Sequence, residues 1–243
     1  MRLLLLVLAG CGRIGFGETT GVGPSSDAHR GSALFDGGDA AGTIDALTSP
    51  LCGATVILAD DFADGVVGSG PWTQVPALAT GLSEQGGTFN IAVLGNATGG
   101  QHAGLRQTAS ESFTGICAIA EIDTTCTGTV HSYVRLGTQT NHVEMYVANG
   151  QLYGEWTNGG TTGTNGPVAF DPVADRFLRI REQAGNYHFE MGPSLTSFPS
   201  TLGLQGGAVV MPGPSSFEIG ADITATTSAS TSCAFASAVL LGP

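Results

Sequence analysis

From Cys52 onward the chain alternates apolar and polar residues in short runs, and glycine, asparagine, proline or threonine interrupts each run after a few residues. A period of two places successive side chains on opposite faces of an extended strand, whereas a helix needs apolar positions three and four apart over ten residues or more. The runs Thr55–Phe62, Thr88–Leu94, His102–Gln107, Phe113–Asp123, Val130–Leu136, His142–Ala148, Leu152–Trp156, Arg176–Glu182, Tyr187–Met191, Ser216–Ala221 and Ala234–Leu241 read as strands. Turn residues separate them: Asn149-Gly150, Asn158-Gly159-Gly160, Gly185-Asn186 and Pro212-Gly213-Pro214. Asn149-Gly150 between two alternating runs is a strong hairpin signal, because both positions of a type I′ turn need positive φ. No run sustains helical spacing, so the expected class is all-β, an antiparallel sandwich or jelly roll.

Before Cys52 the pattern is different. Gly12–Pro50 is rich in Gly, Ala, Ser, Thr and Asp, with acids at Glu18, Asp27, Asp36, Asp39 and Asp45. It has no apolar periodicity with which to offset its ordering entropy, so residues 11–51 read as a flexible acidic tether. The 52–243 segment, roughly 190 residues, is long enough for one domain with a sizeable core. Asp-Gly pairs occur in the tether, but the D-x-D-x-D-G spacing of a calcium loop does not, and no Cys/His spacing suggests a metal. No cofactor motif is present.

The formal charge is −12, and the eight basic residues are all arginine. Phosphate backbones are held by clustered Lys and Arg, so nucleic acid is not an expected partner.

Residues 1–10 carry a leader. Met1-Arg2 precedes an apolar run, Leu3–Leu8, then Leu8-Ala9-Gly10-Cys11. The run is far shorter than the roughly 20 residues that span a bilayer. Leu8-Ala9-Gly10-Cys11 resembles the lipobox of bacterial lipoproteins at all four positions. The resemblance implies cleavage before Cys11, a lipid on Cys11 and attachment to a membrane. Gly12 after the cysteine, by the sorting pattern of that family, implies the outer membrane of the cell envelope.

An exported chain favours disulfides, and four cysteines remain: Cys52, Cys117, Cys126 and Cys233. Cys117 and Cys126 flank one predicted strand. Nine extended residues span about 30 Å, whereas bridged Cα atoms lie within about 7 Å. A Cys117–Cys126 bridge therefore requires the strand to bend back. The options are that local pair with Cys52–Cys233, or bridges from the 117/126 strand to the two ends of the domain; the second is favoured.

Asp60-Asp61-Phe62 with Trp72 about ten residues later is similar to the opening strand of concanavalin A-like lectin/glucanase domains, which include laminin G-like modules. The segment Asp171–Glu182, ending Arg179-Ile180-Arg181-Glu182, resembles a strand of bacterial members. The His142–Trp156 hairpin and the final run Cys233–Leu241 fall where that fold needs them. The resemblance spans about residues 54–241 and implies a concanavalin A-like jelly roll. The chain departs from the pattern at Met191-Gly192-Pro193-Ser194-Leu195, at Phe198 and at Ser237, which stands where an acid often sits in a calcium site.

Glu121-Ile122-Asp123 matches the start of the laminarinase strand E-I-D-x-x-E, whose alternate acids share one face. Retaining hydrolysis needs two carboxylates about 5–5.5 Å apart. The third acid of the pattern is replaced by Cys126, so the expectation is no catalytic pair there and, at most, a degenerate glycoside hydrolase.

Period-two reading gives a second set. Where Val134 and Leu136 face the core, His131, Tyr133 and Arg135 face away. The same parity turns out His142, Glu144 and Tyr146, then Arg179 and Arg181, then His188 and Glu190. Tyr133, Arg135, His142, Glu144, Tyr146, Arg179 and Arg181 are thus the expected ligand-binding residues of one polar sheet face. Aromatic rings would stack on a sugar and Arg/Glu would make paired hydrogen bonds. Of the two tryptophans, Trp156 is expected in the core and Trp72 at one end of the sandwich. The functional expectation is a lipid-anchored envelope module binding polysaccharide. The alternative is a structural or adhesion lipoprotein contacting envelope protein.

Overall fold

A computed structural model describes residues 51–109, 113–205 and 215–243. The leader 1–10, Cys11 and the rest of the tether to residue 50 lie outside the described residues, as does the turn at Pro212-Gly213-Pro214. The described residues form strands and connecting turns, with no helix. The strands are β1 Thr55–Asp60, β2 Trp72–Val75, β3 Thr80–Glu84, β4 Phe89–Val93, β5 Gln101–Ala109, β6 Cys117–Thr124, β7 Val130–Gly137, β8 His142–Ala148, β9 Gln151–Asn158, β10 Thr161–Ala169, β11 Phe177–Gln183, β12 Asn186–Gly192, β13 Ser200–Gln205, β14 Ser215–Ile223 and β15 Thr231–Gly242.

They pair antiparallel in two sheets. Sheet A runs β13-β12-β11-β6-β15-β4-β3, and β1 joins it on β15. The long β15 serves β4 with Thr231–Phe235 and β1 with Ala238–Gly242. Sheet B runs β10-β9-β8-β7-β14-β5-β2. The inner faces meet in one core holding Phe62, Phe89, Phe189, Phe217 and Phe235, all fully buried. The alternation set this up: Val134, Leu136, Val143, Met145 and Val147 all point inward from β7 and β8.

Three two-residue turns close hairpins, at Asn149-Gly150, Gly159-Gly160 and Ala184-Gly185. Asn149 and Gly150 have φ of 50° and 73°, as a type I′ turn requires, and Gly159-Gly160 behaves alike at 58° and 86°. The bridges are Cys52–Cys117 and Cys126–Cys233. Both connect the β6 segment to the ends of the domain, in the favoured pattern. Trp72 is buried against Phe62 and Phe217, and its indole N–H donates to Asp60 at 2.7 Å. Trp156 is partly buried against the main core.

The two outer faces differ. The outer face of sheet A carries a second apolar layer, with Cys117, Ile119, Phe177, Val239 and Leu241 packed under Cys52, Val56, Leu195 and Phe198. The polar outer face of sheet B is the one that positions the site.

Candidate functional site on the outer face of sheet B

Register places one charged residue from each of five adjacent strands in a single row. Arg106 on β5 stands opposite Glu218 on β14, Glu218 opposite Arg135 on β7, Arg135 opposite Glu144 on β8, and Glu144 opposite Glu155 on β9. Directly opposed Cβ atoms lie about 4.5–5.5 Å apart, so the row is continuous.

Glu218 is its anchor, only 2% exposed. It accepts from the Tyr133 hydroxyl and, at 2.7 Å, from Arg106 Nε, and it pairs with Arg135 Nη1 at 3.9 Å. Arg135 turns its Nε and Nη2 to Glu144 Oε2, each at 2.5 Å, and lies 4.4 Å over the Tyr133 ring. Burial pushes the Glu144 carboxyl up to about 7 against the pull of Arg135, with Asp222 and Glu155 adding to the rise. Burial, with Asp222 assisting, also raises Glu155. Burial would lower the Arg135 pKa, but Glu144, Tyr133 and Glu218 outweigh it and hold the guanidinium charged. Burial and the Glu218 charge raise Tyr133 well above a free phenol, so it remains a donor.

A second row is aromatic: Gly220, Tyr133, Tyr146 and Tyr153 are successive neighbours. Tyr146 stacks on Tyr153 with centroids 4.9 Å apart and on His131 at 5.1 Å, nearly parallel in both cases. The rings therefore use one another's faces, so Tyr146 presents edge and hydroxyl rather than the stacking platform expected from the sequence.

The row ends in a cleft of about 250 Å³ over β5, β14 and β7, lined by His102, Arg106, Arg135, Thr138, Ser216 and Glu218 among others. His142 lies next to it, opposite Gly137 and mostly buried. Burial and the Arg135 charge push its imidazole down to about 4, which keeps it neutral near pH 7.

The structure thus brings Tyr133, Arg135, His142, Glu144 and Tyr146 onto one face. It does not bring Arg179 and Arg181 there, and this corrects the sequence expectation. Both lie on β11, in the other sheet, turned to the outer face of sheet A. Arg179 Nε bonds Glu190 at 2.6 Å and covers Phe198 at 3.9 Å, while Arg181 Nη2 bonds Glu190 at 2.9 Å. Parity gave each strand's outward residues correctly, but parity does not say which sheet a strand joins. Glu121 and Asp123 also sit on sheet A, with Glu121 buried against Arg176 and Ser237. Glu121 therefore faces away from the cleft and makes no acid pair with access to a ligand.

Sequence reading missed His102, Arg106, Glu218, Tyr153, Glu155 and the small polar residues of the cleft. The same alternation rule applied to β5 and β14 turns His102, Arg106 and Glu218 outward. What was lacking was the adjacency of β5, β14 and β7, which joins residues more than 80 positions apart.

No family model and no curated protein matches the chain. Solved structures share its fold. It is similar to the Crh5 transglycosylase in complex with NAG, at 14% identity over 79% of this chain and 85% of that one, TM-score 0.53. It is also similar to the catalytic domain of an endo-1,3-beta-glucanase (laminarinase) from Thermotoga petrophila RKU-1, at 10% identity over 77% and 97%, TM-score 0.56. A third is SCLam, a non-specific endo-beta-1,3(4)-glucanase from family GH16, at 10% identity over 77% and 90%, TM-score 0.56. The architecture is the concanavalin A-like jelly-roll sandwich of these enzymes. At such identities the likeness extends to the fold.

Proposed function

We propose that the outer face of sheet B is a saccharide-binding face. The observation that carries this reading is the cleft over β5, β14 and β7, open to solvent and lined by side chains that both donate and accept hydrogen bonds. A sugar offers many hydroxyls at fixed angles, and matching them takes rigid polar groups of both kinds. Here the opposed pairs Arg106–Glu218 and Arg135–Glu144 lock one another, so the cleft is built before a ligand arrives. The fold's occurrence in glucanases and a transglycosylase supports the reading by analogy. A glycan microarray probed with the full chain and with Arg106→Gln tests it: saturable binding weakened in the variant is expected, and a blank array contradicts it.

We further propose that the chain is a lipoprotein of the bacterial envelope, held by lipid on Cys11. The Leu8-Ala9-Gly10-Cys11 stretch supports this. Labelled palmitate should enter the protein in bacterial culture and be lost in Cys11→Ala.

One observation favours a second reading, glycoside hydrolysis. Glu144 and Glu155 are directly opposed acids with raised pKa values, and a proton-bearing acid beside an ionised one is the requirement for that chemistry. Against it, Glu144 is 4% exposed and bound to Arg135. Release of reducing ends from a β-glucan, abolished in Glu155→Gln, would establish it.

A further inference from the structure

Eight arginines are the only cationic side chains of fixed charge in a chain of net charge −12, and five of them fall among the described residues. Two of those five, Arg106 and Arg135, line the same cleft together with His102. The other three lie on or beside β11, away from it.

Burial orders these charges by depth. The Glu218 side chain is 2% exposed beneath the cleft, whereas Arg106 is 37%, His102 21% and Arg135 12% exposed. The Glu218 oxygens are taken by the Tyr133 hydroxyl and by Arg106 Nε. The carboxylate therefore holds the guanidiniums from beneath, and with Arg135 turned to Glu144 the cation that a ligand meets at the rim is Arg106. Arg106 bonds Glu218 through Nε, and its Nη2 sits 3.4 Å from His102 Nε2. One edge of the planar fork is thereby pinned, with over a third of the side chain facing solvent. Ser216 and Thr138 add hydroxyls to the lining.

From this arrangement we infer that the cleft takes an anionic saccharide, a chain bearing carboxylate or sulfate groups, with the charged group seated against Arg106 and the recessed Arg135 behind it. The inference rests on the saccharide reading above and narrows its ligand class. Guanidinium forks match carboxylate and sulfate-like oxyanions in a two-point geometry that neutral hydroxyls do not exploit. The net negative charge of the protein does not override this. Glu218 and Glu144 touch these arginines but are buried beneath the rim, and charges more than a Debye length away, about 8 Å at physiological salt, are largely screened. A contact pair in a recessed cleft is screened far less.

The test is calorimetric titration of the full chain with three hexasaccharides at equal salt: oligogalacturonate for carboxylate, a sulfated carrageenan oligosaccharide for sulfate, and neutral laminarihexaose. The expected result is binding of at least one anionic chain with little or none of the neutral one. Which anionic chain binds identifies the charged group. Arg106→Gln should weaken that binding about 10- to 100-fold, the usual worth of a hydrogen bond to a charged group. Arg106→Lys, which keeps the charge and loses the fork, should fall between. Laminarihexaose binding as well as or better than the anionic chains would overturn the inference and leave the saccharide reading standing. Anionic binding indifferent to Arg106→Gln, in a variant with an unchanged far-UV spectrum, would overturn the assigned seat. Absence of binding by all three would overturn the inference and count against the saccharide reading as well.

Discussion

Arg135 stands directly across from Glu144, and its Nε and Nη2 both reach Glu144 Oε2 at 2.5 Å. Removing one partner of a buried pair costs about 3–5 kcal/mol, because the other is left charged and unpaired. Arg135→Met should lower stability by about that much in urea titrations at pH 8. The loss should be smaller at pH 5, where the Glu144 carboxyl, already pushed up to about 7 with Arg135 present, takes a proton. Adding Glu144→Gln to Arg135→Met should restore part of the loss.

Glu84 on β3 gives a second pH dependence. It is buried beside Asp60 and Asp64, and its pKa rises to about 7, first by burial, then through the neighbouring Asp64 and Asp60 carboxylates. The native state therefore holds this proton more tightly than the unfolded chain does, and stability falls as pH rises from about 4.5 to 7. Glu84→Gln removes the ionisation. Its melting temperature should exceed the parent's at pH 8 and match it near pH 4. Each kcal/mol regained should raise it by about 2–4 °C.

Gly220 allows Tyr133 to cross β14. A Cβ at Gly220 would lie 2.7 Å from the Tyr133 hydroxyl oxygen and 2.5 Å from the carbonyl oxygen of Ala103. Gly220→Ala should destabilise the domain by about 1–3 kcal/mol, the cost of overpacking. It should also break the Tyr133–Glu218 hydrogen bond, so the Tyr133 phenol should titrate at lower pH than in the parent, read by ultraviolet absorbance.

The two disulfides close loops of 65 and 107 residues. Chain entropy assigns each about 4–5 kcal/mol, with the longer loop ahead by about 0.5 kcal/mol. Paired Cys→Ala replacement at either bridge should therefore lower the urea midpoint by similar amounts, the Cys126–Cys233 pair slightly more.

The fold was legible wherever a strand has one face in the core. His142–Ala148 was read to the residue, and most core-facing strands to within a few positions, because burial on one side writes the alternation. The missed strands were β2, β3, β10 and β13. β10 shows why. Thr161–Ala169 reads Thr-Thr-Gly-Thr-Asn-Gly-Pro-Val-Ala, an edge strand whose residues are mostly exposed, so no apolar rhythm marks it. Half of the site was legible for the same reason: parity turned Tyr133, Arg135, Glu144 and Tyr146 outward. Parity carries no information on strand order. It could not separate Arg179 and Arg181, on sheet A, from these residues, nor bring Arg106 and Glu218 to Arg135.

The scarcity of arginine supplies the most direct test of the binding face. The Nε–Hε resonances of eight arginines can be followed singly in a ¹⁵N spectrum of the full chain while oligogalacturonate or laminarihexaose is added. The account predicts that Arg106 and Arg135 shift with at least one of these saccharides while Arg179 and Arg181, on the other sheet, stay in place. Shifts confined to Arg179 and Arg181, or none with either saccharide, would contradict it.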